Sequence, residues 1–140
     1  IVGMVISDGR FGCFWAGDSR AYRIREGEIA QLTRDHSLVQ GLVDAGMLDP
    51  AEAETHPNAN VVTRAVGAAE TLEVDTSSGD ARPGDTFLLA SDGLTRVMTD
   101  DEIYAELTAS PGEQAADSLL QTVLSRGAPD NVSMILVRIT

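Results

Sequence analysis

The sequence predicts an α+β domain, and three of its features support that class. The first 32 residues contain apolar runs separated by two pairs of an acidic residue and Gly, as in antiparallel β-hairpins. Residues 99–126 show helical spacing of apolar side chains between start and stop signals. Apolar runs at 86–90 and 132–139 flank that helical region and are typical of buried strands. A length of 140 residues suits one domain.

The first strands are expected to form an antiparallel meander of three or four. Asp8-Gly9 and Glu26-Gly27 both favour hairpin turns, because Gly accepts the positive φ that tight turns require. A further strand is expected over Leu72–Thr76, after a break in the β pattern.

Residues 34–71 are interpreted as a helical excursion between strands. Apolar side chains recur at helical spacing from Leu38 to Val43, and Gly46 is a suitable helix stop. Asp49-Pro50 then supplies a helix cap and a first-turn proline, so a short second helix is expected there.

The last 55 residues are predicted to run strand, helix, helix, strand. Thr99 and Glu102 have the spacing of a capping box, and Ser110-Pro111 repeats the start signal for the longer helix. The final strand, residues 132–139, has apolar side chains on both of its faces, which favours a central position in its sheet.

Composition and charge restrict the possible function. The formal charge is −12, which disfavours binding to nucleic acids or to anionic membranes, since both require a basic surface. The single Cys13 lies in an apolar run and is interpreted as a small buried side chain rather than a nucleophile. One cysteine and no span-length apolar stretch favour a cytoplasmic location.

Three aspartates stand at the ends of strand-like runs and point to a metal site. They are Asp18 in a Gly-Asp-Ser turn, Asp92 before Gly93, and Asp130 before Asn131. Carboxylates brought together at a sheet edge repel one another unless a cation neutralises them, and hard ions such as Mg²⁺ and Mn²⁺ prefer oxygen ligands. Each aspartate alone is more often a turn residue. His36 could be a ligand or a general acid, but a capping or packing role is the more common one.

Five ordered motifs across nearly the whole chain resemble the bacterial form of the type 2C metal-dependent serine/threonine protein phosphatases. They are Gly17-Asp18-Ser19-Arg20-Ala21-Tyr22, Leu32-Thr33-Arg34-Asp35-His36-Ser37-Leu38-Val39, Asn60-Val61-Val62-Thr63-Arg64-Ala65-Val66-Gly67, Leu88-Leu89-Ala90-Ser91-Asp92-Gly93-Leu94 and Asp130-Asn131-Val132-Ser133. The resemblance implies a partial α-β-β-α sandwich, with 1–140 as the C-terminal part of one catalytic domain.

The resemblance also implies roles for particular residues. Asp92 and Asp130 would bind one ion of a Mn²⁺ or Mg²⁺ centre of two to three ions, and Asp18 would hold an accessory ion with Asp92. The supporting residues are Gly93, Asn131 and Ser19, and a helical flap at about 37–60 would affect substrate choice, with His36, Ser37 and Arg64 on the flap or substrate side. No protein nucleophile is expected, because divalent ions can lower the pKa of an attacking water.

The expected activity is removal of phosphate from phosphoserine and phosphothreonine proteins in signalling, opposite a cognate kinase. The family's early motifs, including an Asp-Gly-Met-Gly-Gly-type loop, do not occur in these residues, so this piece alone is expected to have little activity. Two alternatives stay open, a phosphatase-like docking or regulatory module without turnover and a hydrolase of small phosphorylated molecules.

Overall fold

The computed structural model describes residues 1–140, and its strands form two antiparallel sheets. The strands are β1 (Val2–Ser7), β2 (Arg10–Trp15), β3 (Arg20–Arg25), β4 (Glu28–Gln31), β5 (Asp75–Asp80), β6 (Thr86–Ala90) and β7 (Met134–Arg138). One sheet has the order β1-β2-β5 and the other has the order β4-β3-β6-β7. The helices are α1 (Leu38–Asp44), α2 (Asp92–Thr95), α3 (Asp100–Ala109) and α4 (Glu113–Ser125), and Pro50–Glu52 form one 3-10 turn.

The α+β class is confirmed, and the layers form a partial sandwich. Alternate residues of β6 point to opposite sides, so Phe87 and Leu89 pack between the two sheets while Leu88 and Ala90 pack under the helices. The inter-sheet core is closed by side chains from β2, chiefly Phe11, Cys13 and Trp15. Strand β6 is therefore buried on both faces, as its continuous apolar run predicts.

Helices α2, α3 and α4 cover the outer face of the four-stranded sheet. Ile103, Leu119 and Val123 are fully buried there. Full burial of such a side chain stabilises the fold by about 1.5–3 kcal/mol. No helix is both long and apolar enough to cross a membrane.

Helix boundaries follow the local signals in part. The capping box is confirmed, because the Thr99 hydroxyl accepts from the backbone N–H of Glu102 and the Glu102 carboxylate accepts from that of Thr99. Helix α4 instead begins after Gly112, with no side-chain cap, so the start signal at Ser110-Pro111 is wrong. The expected second helix at Asp49-Pro50 is only a 3-10 turn, although Asp49 does cap it.

The strand predictions need three corrections. The first four strands are two hairpins in different sheets rather than one meander. The strand expected at Leu72–Thr76 lies at 75–80, because pairing with β2 selects that segment despite its Ser and Gly residues. Strand β7 is an edge strand and not central, and its Ile135 is 61% exposed.

Candidate metal and phosphate site at one sheet edge

The pairing of β3, β6 and β7 brings the three predicted aspartate turns to the same edge of the four-stranded sheet, namely the edge formed by the ends of these strands. Arg20 pairs with Ala90, and Ala90 pairs with Met134. Asp18 precedes β3, Asp92 follows β6 and Asp130 precedes β7, so all three lie at the end of the strands where this row stands. The strands next to Asp92 and Asp130, β6 and β7, are therefore neighbours, as an ion shared by these two residues would require.

The turn that carries Asp18 is fixed to the interior of the protein by His36. The backbone N–H of Gly17 donates to His36 Nδ1 at 3.1 Å, and the backbone N–H of His36 donates to the Gly17 carbonyl at 3.0 Å. His36 Nε2 lies 2.7 Å from Asp75 Oδ2, and because Nδ1 is an acceptor, Nε2 carries the proton. The His36 ring also stacks on Trp15, with centroids 6.1 Å apart. Gly17 has φ 121°, a conformation that favours glycine.

Asp92 is the first residue of α2, directly after the N-cap Ser91 and the end of β6. One helical turn later, Arg96 reaches back to it, with Arg96 Nη1 3.3 Å from Asp92 Oδ2. The other end of the same guanidinium contacts Asp18, with Nη2 2.9 Å from Asp18 Oδ2. Two carboxylates that are 74 residues apart in sequence therefore meet at one cation.

The repulsion between Asp18 and Asp92 affects the pKa of Asp18. Burial raises the pKa of its carboxyl above the ordinary value, and the neighbouring Asp92 raises it further, while Arg96 acts in the opposite direction. Desolvation and a like charge both disfavour the ionised acid. A positive charge beside Asp18 therefore favours its ionised form, as Arg96 does here.

Asp130 lies in the adjoining turn but is exposed, and its Oδ1 accepts from the backbone N–H of Asn131 at 2.7 Å. The Asn131 carbonyl packs directly against Gly93, where an added Cβ would lie 2.0 Å from the carbonyl oxygen. Backbone N–H groups also join the turns, since Ser91 donates to the Ser133 carbonyl at 2.9 Å and Ser133 donates to the Ser91 hydroxyl at 3.0 Å. Only glycine at 93 allows this approach.

A cavity of about 290 Å³ opens beside the Asp18–Asp92 pair. One wall comes from the sheet edge and α2, and the other comes from the segment between α1 and residue 60. The charged lining residues are Asp18, Arg20, Asp35, Glu54, Asp92 and Arg96. Polar side chains of Ser37, Gln40 and Asn60 complete the wall formed by this segment.

The sequence comparisons identify the family. A family model described as "Stage II sporulation protein E (SpoIIE)" matches residues 4–140. The chain is 36% identical over 136 residues to the serine/threonine protein phosphatase PstP of Mycobacterium tuberculosis, covering 97% of this chain and 26% of PstP. It is 39% identical over 122 residues to the protein phosphatase PhpP of Streptococcus pneumoniae, covering 86% of this chain and 50% of PhpP.

This chain belongs to the type 2C serine/threonine phosphatases, in the family that the SpoIIE model describes. The solved structure of M. tuberculosis PstP/Ppp superposes with a TM-score of 0.92 at 36% identity, covering 97% of this chain and 57% of that one. A structure of the PstP catalytic domain with two manganese ions gives a TM-score of 0.85 at 34% identity, with 95% and 55% covered. The chain thus spans about a quarter to half the length of these curated relatives and rather more than half of the solved chains.

The type 2C motifs differ in where their side chains point. Ser37 lines the cavity, whereas His36 and Arg64 do not. Arg64 donates to Asp75 Oδ1 at 3.1 Å, and Asp75 also contacts His36. His36 and Arg64 therefore belong to the network that fixes the Gly17 turn. Ser19 follows Asp18 in that turn without lining the cavity.

Sequence reasoning missed Arg96, Asp75 and the Arg20–Asp35 pair. The four-residue spacing of Asp92 and Arg96 is a signal that could have revealed one of these contacts. Arg20 binds Asp35 with two hydrogen bonds, of 2.9 and 2.7 Å, and no local pattern indicates this partner.

The residues at this edge supply two of the ligands that a divalent-metal site needs. Asp18 and Asp92 offer the carboxylate oxygens that Mn²⁺ and Mg²⁺ accept, and they converge from different segments. No group of three or more His, Cys, Asp or Glu side chains that could hold an ion is present. The Asp130 carboxylate is turned towards its own loop. The donor set therefore fits an ion held at Asp18 and Asp92, with further ligands needed to complete its coordination.

Proposed function

We propose that this chain forms part of a metal-dependent phosphatase site that removes phosphate from phosphoserine and phosphothreonine in proteins. The observation that carries the proposal is the convergence of Asp18 and Asp92 at a sheet edge beside a charged cavity. It is supported by relatives named as a serine/threonine protein phosphatase and a protein phosphatase, the first of which has a structure with two manganese ions.

Asp92, Asp130 and Asp18 are the proposed metal-holding residues, with two to three ions of Mn²⁺ or Mg²⁺ in the complete protein. When bound, such ions lower the pKa of water and neutralise phosphate charge. Gly93 keeps the Asp92 turn against the Asp130 turn, and Asn131 and Ser19 support the two loops. Residues 37–60 act as the flap, since their polar side chains form the wall opposite the two aspartates.

The substrate is proposed to be a phosphorylated protein, phosphorylated by a partner serine/threonine kinase. The cavity of about 290 Å³ would receive the phosphorylated side chain, and the flap surface would contact the flanking peptide. Residues 1–140 are proposed to be the C-terminal part of the catalytic domain and to require the rest of the protein for turnover.

The roles of the aspartates can be separated in the complete protein. Asp92→Asn should abolish Mn²⁺-dependent release of phosphate from a phosphothreonine peptide, whereas Asp18→Asn should reduce it only in part. Asp117→Asn is a matched control, because Asp117 lies on α4, away from the cavity. Equal and negligible losses at Asp92 and Asp18 would refute the assignment, and a folded protein that binds Mn²⁺ without turnover would favour a docking module instead.

A further inference from the structure

The side chain of Arg96 joins the two proposed ligands. Each terminal nitrogen of its guanidinium contacts a different carboxylate, Asp18 at 2.9 Å and Asp92 at 3.3 Å. Asp18 lies in the link between the two sheets, and Asp92 is the first residue of α2, whose C-cap is Arg96. One monovalent side chain thus occupies the oxygens that a divalent ion would use.

The two cations cannot both occupy this position favourably. Arg96 neutralises part of the repulsion between two partly buried carboxylates, which is the same electrostatic effect that a bound metal ion would have. A divalent ion at these oxygens would stand within a few ångströms of the guanidinium, and the two positive charges would repel. Binding of the ion therefore requires Arg96 to leave.

The Arg96 side chain has few polar contacts to break on leaving. Its side chain is 36% exposed and borders the cavity, and its only ion-pair partners are the two aspartates. Arg20, which borders the same cavity, is different. It is 20% exposed, is held by two hydrogen bonds to Asp35, and also donates to the Tyr22 hydroxyl. Only one of the two arginines is therefore placed to exchange with an ion.

We propose that Arg96 is a built-in counter-ion, which holds Asp18 and Asp92 until a divalent cation displaces it. This inference rests on the proposed function, because it assumes that a divalent ion binds at these carboxylates. Arg96 then sets the ion concentration at which this position fills. The arginine also keeps the two turns together in the metal-free protein.

The test is a Mn²⁺ titration of the complete protein, with free Mn²⁺ measured by electron paramagnetic resonance. Arg96→Gln should tighten binding at the affected position about tenfold, and Arg96→Lys, which keeps the charge, should stay within about threefold of the wild type. Arg126→Gln is the matched control, because Arg126 is a similarly exposed ion-paired arginine whose loss changes the net charge equally. It should leave the affinity unchanged.

Thermal unfolding supplies a second readout that does not depend on activity. Without metal, Arg96→Gln should lower the Tm by a few degrees, because two carboxylates lose their cation. With saturating Mn²⁺ the difference from the wild type should disappear, since the ion replaces the arginine. A Tm deficit of the same size with and without Mn²⁺ would overturn the proposal.

The titration also separates this inference from the proposed function. If the wild type binds Mn²⁺ and Arg96→Gln binds it no more tightly, or if Arg126→Gln tightens it equally, the counter-ion role is wrong and the metal site remains. If neither the wild type nor Arg96→Gln binds Mn²⁺, both proposals are overturned.

Discussion

Gly93 and Asn131 are packed so closely that a Cβ on Gly93 would lie 2.0 Å from the Asn131 carbonyl oxygen. The obstacle is backbone, which cannot rotate out of the way like a flexible side chain. The contact couples the first turn of α2 to the loop before β7, and it therefore fixes the spacing of Asp92 and Asp130.

Gly93→Ala is therefore expected to force α2 and the loop before β7 apart. Overpacking of this kind costs about 1–3 kcal/mol in the free energy of unfolding, and Mn²⁺ affinity should fall in the same variant. Gly12→Ala is the control, because no atom lies within 4 Å of the added Cβ there. Chemical denaturation compares the two, and a Gly93→Ala variant as stable as the control would contradict the packing argument.

His36 is expected to hold the Asp18 turn rather than to act in chemistry. His36→Ala removes the acceptor for the Gly17 N–H and the partner of Asp75, and leaving a buried N–H unpaired costs about 1–3 kcal/mol. His56→Ala, which removes a histidine that bonds only within its own loop, should cost less. Thermal unfolding measures both, and equal small losses would show that the turn does not depend on His36.

Asp85 should make stability depend on acid pH. Its buried carboxylate accepts two hydrogen bonds from Arg25, at 2.8 and 2.6 Å, and this pairing holds its pKa below the ordinary value. Its contribution is therefore complete above the unfolded pKa of about 3.9 and is lost as pH falls through the lower folded pKa.

Asp85→Asn should lower the free energy of unfolding by about 3 kcal/mol at neutral pH, because Arg25 loses the closer of its two carboxylate partners, Asp85 and Asp80. The difference from the wild type should shrink as the pH falls below about 4. Urea denaturation at several pH values measures it, with Asp117→Asn as the control on the helical layer. A pH-independent difference would show that Asp85 acts through packing alone.

Cys13 should be unreactive in the folded protein. It is 2% exposed, and burial raises the pKa of its thiol to about 11. Because the thiolate is the reactive form, labelling by a disulfide reagent at a pH of about 8 should follow unfolding of the inter-sheet core. Ser125→Cys places a second thiol at an exposed position for comparison. Rapid labelling of Cys13 without denaturant would contradict its burial.

Local signals in the sequence predicted those parts of the fold that local contacts determine. The two hairpin turns, the Thr99–Glu102 capping box and the buried strand β6 all depend on residues a few positions apart. Strand β5 and the division of the early hairpins between two sheets depend on pairing with β2 and β6, so periodicity could not show them.

The same distinction applies to the site. The motifs indicated that the aspartate turns would meet, and the pairing of β3, β6 and β7 brings them to one edge. The contact between Asp18 and Arg96 spans 78 residues and depends on the docking of α2 beside the link between the sheets. No short-range pattern contains that information.

The Gly17 turn is bonded through both its N–H and its carbonyl to one buried histidine. The entropic cost of ordering the Asp18 backbone is therefore already met by folding, and the binding of a ligand does not have to offset it. Such preorganisation lets even a weakly held ion or anion bind with little rearrangement of the main chain, so that adaptation is left to the side chains around the cavity.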